Sequence, residues 1–195
     1  MIDESVPYIP VIMKREAGLP LPAFPLPQGF TYEMYKPGDE KDWARIEASV
    51  EEFENEMDAL LHYQEEFMPY TRELPLRCIF ICAPNGEKIG TATAWWCYVN
   101  ERRYPQVHWV AVKPGYQGLG LGKALTCEVI RRMTAIDGDN VFYLSTQTTS
   151  YKAIGIYEWA GFYITDERDV LDCKNDQVAE AKALLKEIRQ KENRR

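Results

Sequence analysis

Between Val107 and Met133 the chain switches from one apolar period to another within a dozen residues, and this restricts the possible folds more than any other stretch. Val107-His108-Trp109-Val110-Ala111-Val112 is a short apolar, β-branched and aromatic run, as expected of a buried strand. Pro114 and Gly115 end it, because proline has no N–H to give a ladder and glycine opens positive φ. From Leu121 the spacing becomes four: Leu121, Leu125, Val129 and Met133 form one apolar helix face. The stretch therefore predicts strand, glycine loop, helix.

The loop, Gln117-Gly118-Leu119-Gly120-Leu121-Gly122, carries glycine at alternate positions. Without Cβ atoms there, a ligand can approach the backbone. The unpaired N–H groups of the loop and first helical turn, with the helix dipole, make an anion site suited to a pyrophosphate. Three loop patterns compete. A Walker A loop would need Gly where Gln117 stands and Ser or Thr where Ala124 stands. A Gly-x-Gly-x-x-Gly fingerprint starting at Gly118 would end on Lys123. Both fail. The third pattern, Gln/Arg-x-x-Gly-x-Gly/Ala, is filled by Gln117, Gly120 and Gly122.

That run, after a Val-Ala-Val strand and before an amphipathic helix, resembles the coenzyme A loop of the GNAT superfamily of N-acetyltransferases. A second segment strengthens the resemblance: Ala153, Tyr157, Gly161 and Phe162 match the family's Asn-x-x-Ala-x-x-x-Tyr-x-x-x-Gly-Phe, with Ser150 at the Asn position. The resemblance covers roughly Phe30 to Asp166. It implies an α/β (α+β) fold with a mixed, mostly antiparallel sheet flanked by helices and splayed near the coenzyme. It also implies acetyl transfer from acetyl-CoA, the cosubstrate, to a primary amine of a small molecule or protein, by direct attack in a ternary complex.

The same resemblance assigns roles. Gln117, Gly118, Leu119, Gly120, Leu121, Gly122 and Lys123 would hold the pyrophosphate. The backbone of Val110, Ala111 and Val112 would pair with the pantetheine arm and polarise the thioester carbonyl. Ser150, in place of Asn, offers the arm a polar contact. Tyr157 would line the cofactor site and protonate the leaving thiolate as general acid; the plainer alternative is that it packs on the helix's apolar face. Many relatives place a Glu on the strand before the loop as general base. Here His108 and Trp109 stand nearby, and His108 is the candidate, against a buried hydrogen-bonded core histidine or a water chain. Two rivals remain open: a non-catalytic acyl-CoA-binding or sensor module, and a nucleotide-phosphate enzyme using the same loop.

Composition narrows the partners. A net charge of −7 argues against nucleic acid and is compatible with an amine substrate. There is no long uninterrupted apolar run and no charged-then-apolar leader, so neither a membrane span nor a signal peptide is expected. The five cysteines, an odd number without a Cys-x-x-Cys pair, and only two histidines, His62 and His108, predict reduced thiols, no metal and a cytoplasmic protein.

The remaining chain divides into a proline-rich segment (1–28), a catalytic domain (29–172) and a C-terminal amphipathic helix (173–195). Val6 to Met13 suits a short edge strand, with the other proline-rich residues extended over the domain surface. Phe30 to Lys36 reads as a strand. Asp39 reads as a side-chain cap for a helix carrying Trp43, Ile46 and Val50. Helix then continues to about Met68, with Phe53, Met57, Leu60 and Leu61 inward. Its acidic run Glu51, Glu52, Glu54, Glu56 and Asp58 is read first as a solvated face and second as a lure for an amine. Arg77–Ala83 and Lys88–Tyr98 form a hairpin about Asn85-Gly86. Strict alternation would send Trp95 and Trp96 to opposite faces, one toward the cleft. Asn100–Gln106 reads as a polar loop and Val141–Leu144 as a buried strand. Ser150 caps the next helix, which runs to Gly161 before Phe162–Ile164 resumes a strand. Lys174–Arg195 would dock Val178, Ala181, Leu185 and Ile188 on the sheet or on a second copy in a homodimer, with a fraying end.

Overall fold

A computed structural model describes residue 3 and residues 5–192. Its strands are β1 (Pro10–Arg15), β2 (Thr31–Met34), β3 (Cys78–Cys82), β4 (Lys88–Val99), β5 (Arg102–Val112), β6 (Phe142–Gln147) and β7 (Tyr163–Ile164). Its helices are α1 (Glu40–Ser49), α2 (Glu56–Glu66), α3 (Leu74–Arg77), α4 (Leu121–Asp137), α5 (Tyr151–Trp159) and α6 (Val178–Glu192). The strands form one sheet in the order β2-β3-β4-β5-β6-β1-β7. Every neighbouring pair is antiparallel except β5 and β6. The expected mixed, mostly antiparallel sheet is present.

Alternation along β3 builds two cores. Ile79 and Ile81 join Leu121, Leu125, Val129 and Met133 of α4, with Ile154 of α5 and Leu185 of α6. Cys78 and Phe80 join Trp43 and Ile46 of α1, and Tyr63 of α2, on the other face. The period-four stripe of α4 is thus its buried face, each fully buried side chain contributing roughly 1.5–3 kcal/mol.

Several elements depart from the sequence reading. β1 is no edge strand: it starts at Pro10 and lies between β6 and β7. Asp39 occupies the N-cap position of α1 but does not cap it. Its carboxylate instead accepts from the Lys36 backbone N–H and the Lys88 ammonium. Helix is interrupted between Ser49 and Glu56, where Asn55 caps α2 through the N–H groups of Met57 and Asp58. Because that break resets the helical phase, Met57 and Leu61 point outward, and Ala59, Tyr63 and Phe67 take the core. The short helix α3 was not anticipated.

The polar stretch 102–106 is strand, not loop. Only Asn100 and Glu101 turn, both at positive φ, as a two-residue hairpin between twisted strands requires. β3 pairs with β4 only as far as Thr93. Beyond it β4 has lost β3, and past the single Gln106–Tyr143 bridge to β6 the ends of β4 and β5 form a two-stranded ribbon, which twists more strongly. There alternation fails: Trp95 and Trp96 stack with ring centroids 4.2 Å apart, and neither lines the cleft. Arg77 and Arg103 lie over the Trp96 ring. α6 begins at Val178 rather than Lys174 and buries Ala181 and Leu185 in this chain's own core. The end expected to fray, 193–195, lies outside the described residues.

Candidate active site

The parallel pair is where the sheet opens. β5 and β6 are bridged at Gln106 and Tyr143, with no further register partners toward the ends of the two strands. A cleft of about 780 Å³ is lined there by Val107 to Val112 of β5 and Leu144 to Gln147 of β6. This is the splay expected of the strand preceding the glycine loop.

One irregularity shapes the β5 wall. Thr91 pairs with Ala111 and Thr93 with His108, so Trp109 and Val110 together oppose Ala92. Such a bulge takes backbone out of the ladder. Trp109 sits at φ +48°, a conformation that costs a bulky side chain on the order of 1–3 kcal/mol. The surroundings hold it there. Its indole N–H donates to Glu66 Oε2 at 2.8 Å, and its ring packs edge-on against Trp43 and tilted against Phe53.

The glycine loop follows. Gln117 ties it to β5, its side-chain N–H donating to the Val112 carbonyl at 2.9 Å. The three glycines do different work. Gly118 has φ +80° and open space where a Cβ would be. Gly120, the N-cap of α4, has φ +83°, and an added Cβ would lie 2.7 Å from the Phe24 ring. An added Cβ on Gly122 would meet Ile156 of α5 at 3.1 Å. Phe24, from the proline-rich segment, also meets Trp159 edge-on, and the Lys123 ammonium lies over both rings. Every coenzyme-loop residue named from the sequence lines the cleft, as do Val110, Ala111, Val112 and Ser150. The Ser150 hydroxyl does not cap α5; it accepts from the Gln147 amide at 3.2 Å.

Two candidate proton-transfer groups reach the same cleft. Tyr157 is buried on α5. Burial, and then the nearby carboxyl groups of Glu52 and Glu47, push its phenol far above the ordinary value, so it keeps its proton. His108 Nε2 lies 2.6 Å from Glu66 Oε1. Glu66 also takes His62 at 2.8 Å, besides Trp109. Burial alone would raise the Glu66 carboxyl, but these bonds outweigh it and hold it well below the usual carboxylate range.

The sequence reading missed Glu47, Glu66 and Phe24, and named Glu52 only as part of the acidic run; Glu52 and Glu47 both line the cleft. Glu47 had a legible signal: it shares the core-facing stripe of α1 with Trp43, Ile46 and Val50. It is only 1 % exposed and lines the cleft. Its Oε1 has no hydrogen-bond partner among the described residues. Burial, and then Glu52, raise its carboxyl well above the ordinary value. No group of three or more His, Cys, Asp or Glu placed to hold a metal occurs among the described residues. None of the helices described is long and apolar enough to cross a membrane.

A sheet split between parallel strands, a bulged wall and a glycine loop opening a helix fit the fold that the sequence resemblance implies, and comparison with known proteins agrees. Residues 41–162 match the Acetyltransferase (GNAT) family. The chain belongs to that family. It is 31% identical over 166 residues to a mycothiol acetyltransferase of Streptomyces avermitilis, covering 80% of this chain and 49% of that protein. A mycothiol acetyltransferase of Streptomyces coelicolor is 30% identical over 165 residues, covering 79% and 49%. The chain thus spans about half the length of these curated relatives. Among solved structures, a GCN5-related N-acetyltransferase from Sphaerobacter thermophilus superposes with a TM-score of 0.58 at 25% identity, covering 81% of this chain and 50% of that one.

Proposed function

We propose that this chain transfers an acetyl group from acetyl-CoA to a primary amine held in the same cleft. The observation that carries the reading is the split between β5 and β6, which places the bulge at Trp109 and Val110 in one cleft with the glycine loop and a protonated Tyr157. In this reading the N–H groups of residues 118 to 123 receive the pyrophosphate. The thioester arm lies along Val110, Ala111 and Val112, whose ladder is broken by the bulge. Ser150 contacts the arm beside Gln147. The amine attacks the thioester carbonyl, the C–N bond forms and the C–S bond breaks, and Tyr157 gives its proton to the departing thiolate. His108, oriented by Glu66, is the candidate acceptor of the amine's proton.

The catalytic segment is taken as 29–172, completed by β1 within its sheet, α6 against its core and Phe24 in its cleft. A mycothiol-related amine is the first acceptor to screen, because the matched relatives are named for mycothiol. The free cysteines fit a cytoplasmic protein. Calorimetry with acetyl-CoA and turnover of Tyr157→Phe test the reading together. Acetyl-CoA should bind both proteins alike, and turnover should fall roughly 100-fold in the variant. Unchanged turnover would remove Tyr157 from the mechanism. Tight acetyl-CoA binding with no transfer to any amine would favour a non-catalytic acyl-CoA-binding module.

A further inference from the structure

From the geometry we infer that Glu47 is the anchor for the acceptor's ammonium group, and that the acceptor site selects cationic primary amines. The inference deepens the function proposed above and rests on it. The gap between β5 and β6 is walled from two sides of the sheet. The glycine loop, α4 and α5 border it on one face. On the other, α1 brings Glu47 and Val50 to the same cleft. If the coenzyme occupies the glycine-loop side, the side left for the acceptor is the one Glu47 faces.

Three observations point to a cation there. First, a carboxyl group occupies a core position of α1 with one oxygen unpartnered among the described residues. A buried polar atom without a partner costs free energy that a fold does not otherwise need. Such a group fits a site that acquires its partner with the substrate. Second, α1 ends so as to place more carboxylate beside it. The Glu52 N–H bonds the Glu47 carbonyl and the Glu51 N–H bonds the Ala48 carbonyl, a helix ending whose left-handed position usually holds glycine. Here Glu51 holds it, at φ +69°. Third, Glu51 and Glu52 border an open depression of about 530 Å³. It shares Tyr8, Glu52 and Gln147 with the cleft, so an amine entering there passes carboxylates before reaching Glu47. Tyr157, Glu47 and Glu52 line the same cleft, which puts the anchor in one space with the reacting end.

The test uses n-butylamine as cation and 1-butanol as its neutral counterpart, measured by saturation-transfer NMR on the wild type and Glu47→Gln, with CoA affinity measured separately on each. The wild type should bind the amine in preference to the alcohol. Glu47→Gln should lose about tenfold or more in amine affinity, because a bond to a charged group is replaced by a neutral one. Its alcohol and CoA affinities should not change. Its melting temperature should hold or rise, since an unpaired buried carboxyl has been replaced by a neutral amide. Equal binding of amine and alcohol by the wild type would overturn the proposal, as would unchanged amine affinity in the variant. So would a variant that fails to fold, because Glu47 would then be a structural partner. Amine selectivity without CoA binding by the wild type would instead fault the acetyl-CoA reading and leave the cation site standing.

Discussion

Glu66 shows how one side chain holds a site in shape. It collects His108, Trp109 and His62, and so fixes both the imidazole facing the cleft and the residue in the bulge. A charged acceptor suits three donors; a glutamine amide has one oxygen and brings donors of its own. Glu66→Gln should therefore cost about 1–3 kcal/mol at neutral pH. Its pH dependence has a definite sign. The folded-state carboxyl lies below its ordinary value of 4.5, so its contribution is complete above that pH and is lost as the pH falls toward the folded-state value. Urea midpoints from pH 7 to pH 3 should show a constant gap between wild type and variant above about pH 5 that narrows in acid. A gap of the same size at pH 3 would mean that packing, not charge, is what the substitution removes.

At the scale of elements, the glycine loop and the proline-rich segment form one unit. Gly120 needs a left-handed backbone, and the Phe24 ring fills the space a side chain would take. Gly120→Ala should cost roughly 1 kcal/mol from backbone conformation alone. Relief of the clash in Gly120→Ala/Phe24→Ala should make the double variant less destabilised than the sum of the singles, by on the order of 1 kcal/mol. Urea unfolding of the four proteins measures this, and strict additivity would show that Phe24 does not sit there in solution. The same elements show what a sequence can reveal. The α4 stripe and the turn at Asn85-Gly86 are local patterns, and both were legible. The place of β1 between β6 and β7 depends on pairings more than a hundred residues apart and leaves no local trace. Residues 102 to 105 look like a loop because the two-stranded ribbon they form tolerates polar residues and Pro105, which a central strand would not. The loop's contribution to the site was legible as a motif. The bulge was not, because a tryptophan at positive φ goes against local preference and is held there by tertiary contacts.

Across the whole molecule, α4 is the beam that joins the glycine loop to the far end of the sheet, about 25 Å away for its seventeen residues. Its last residue, Asp137, places a negative charge at the helix C-terminus, where the dipole disfavours it. Two guanidinium groups reverse that penalty. Arg77, the last residue of α3, grips Asp137 with two bonds of 2.9 and 3.1 Å, and Arg103 of β5 adds a third at 3.0 Å. Arg77 also donates to the Ala94 carbonyl of β4, so the clamp fastens α3, α4, β4 and β5 together. Burial works to raise the Asp137 carboxyl, but the bonds to Arg77 and Arg103 prevail and lower it. Among the described residues, Asp137→Ala would leave the buried Arg77 guanidinium with only the more exposed Glu73 as an ionic partner. Breaking one side of a buried pair typically costs about 3–5 kcal/mol, and the lower figure is expected here because Glu73 remains. The loop end of α4 is held independently, by Gln117 on the Val112 carbonyl and by the close packing of Gly122 on Ile156. Chemical denaturation should therefore show a large loss of stability in Asp137→Ala while calorimetry on the folded protein finds CoA affinity within about twofold of wild type, as for sites too far apart to couple. A matching loss of affinity would mean that α4 transmits strain along its length, and the clamp would then belong to the binding machinery rather than to the fold.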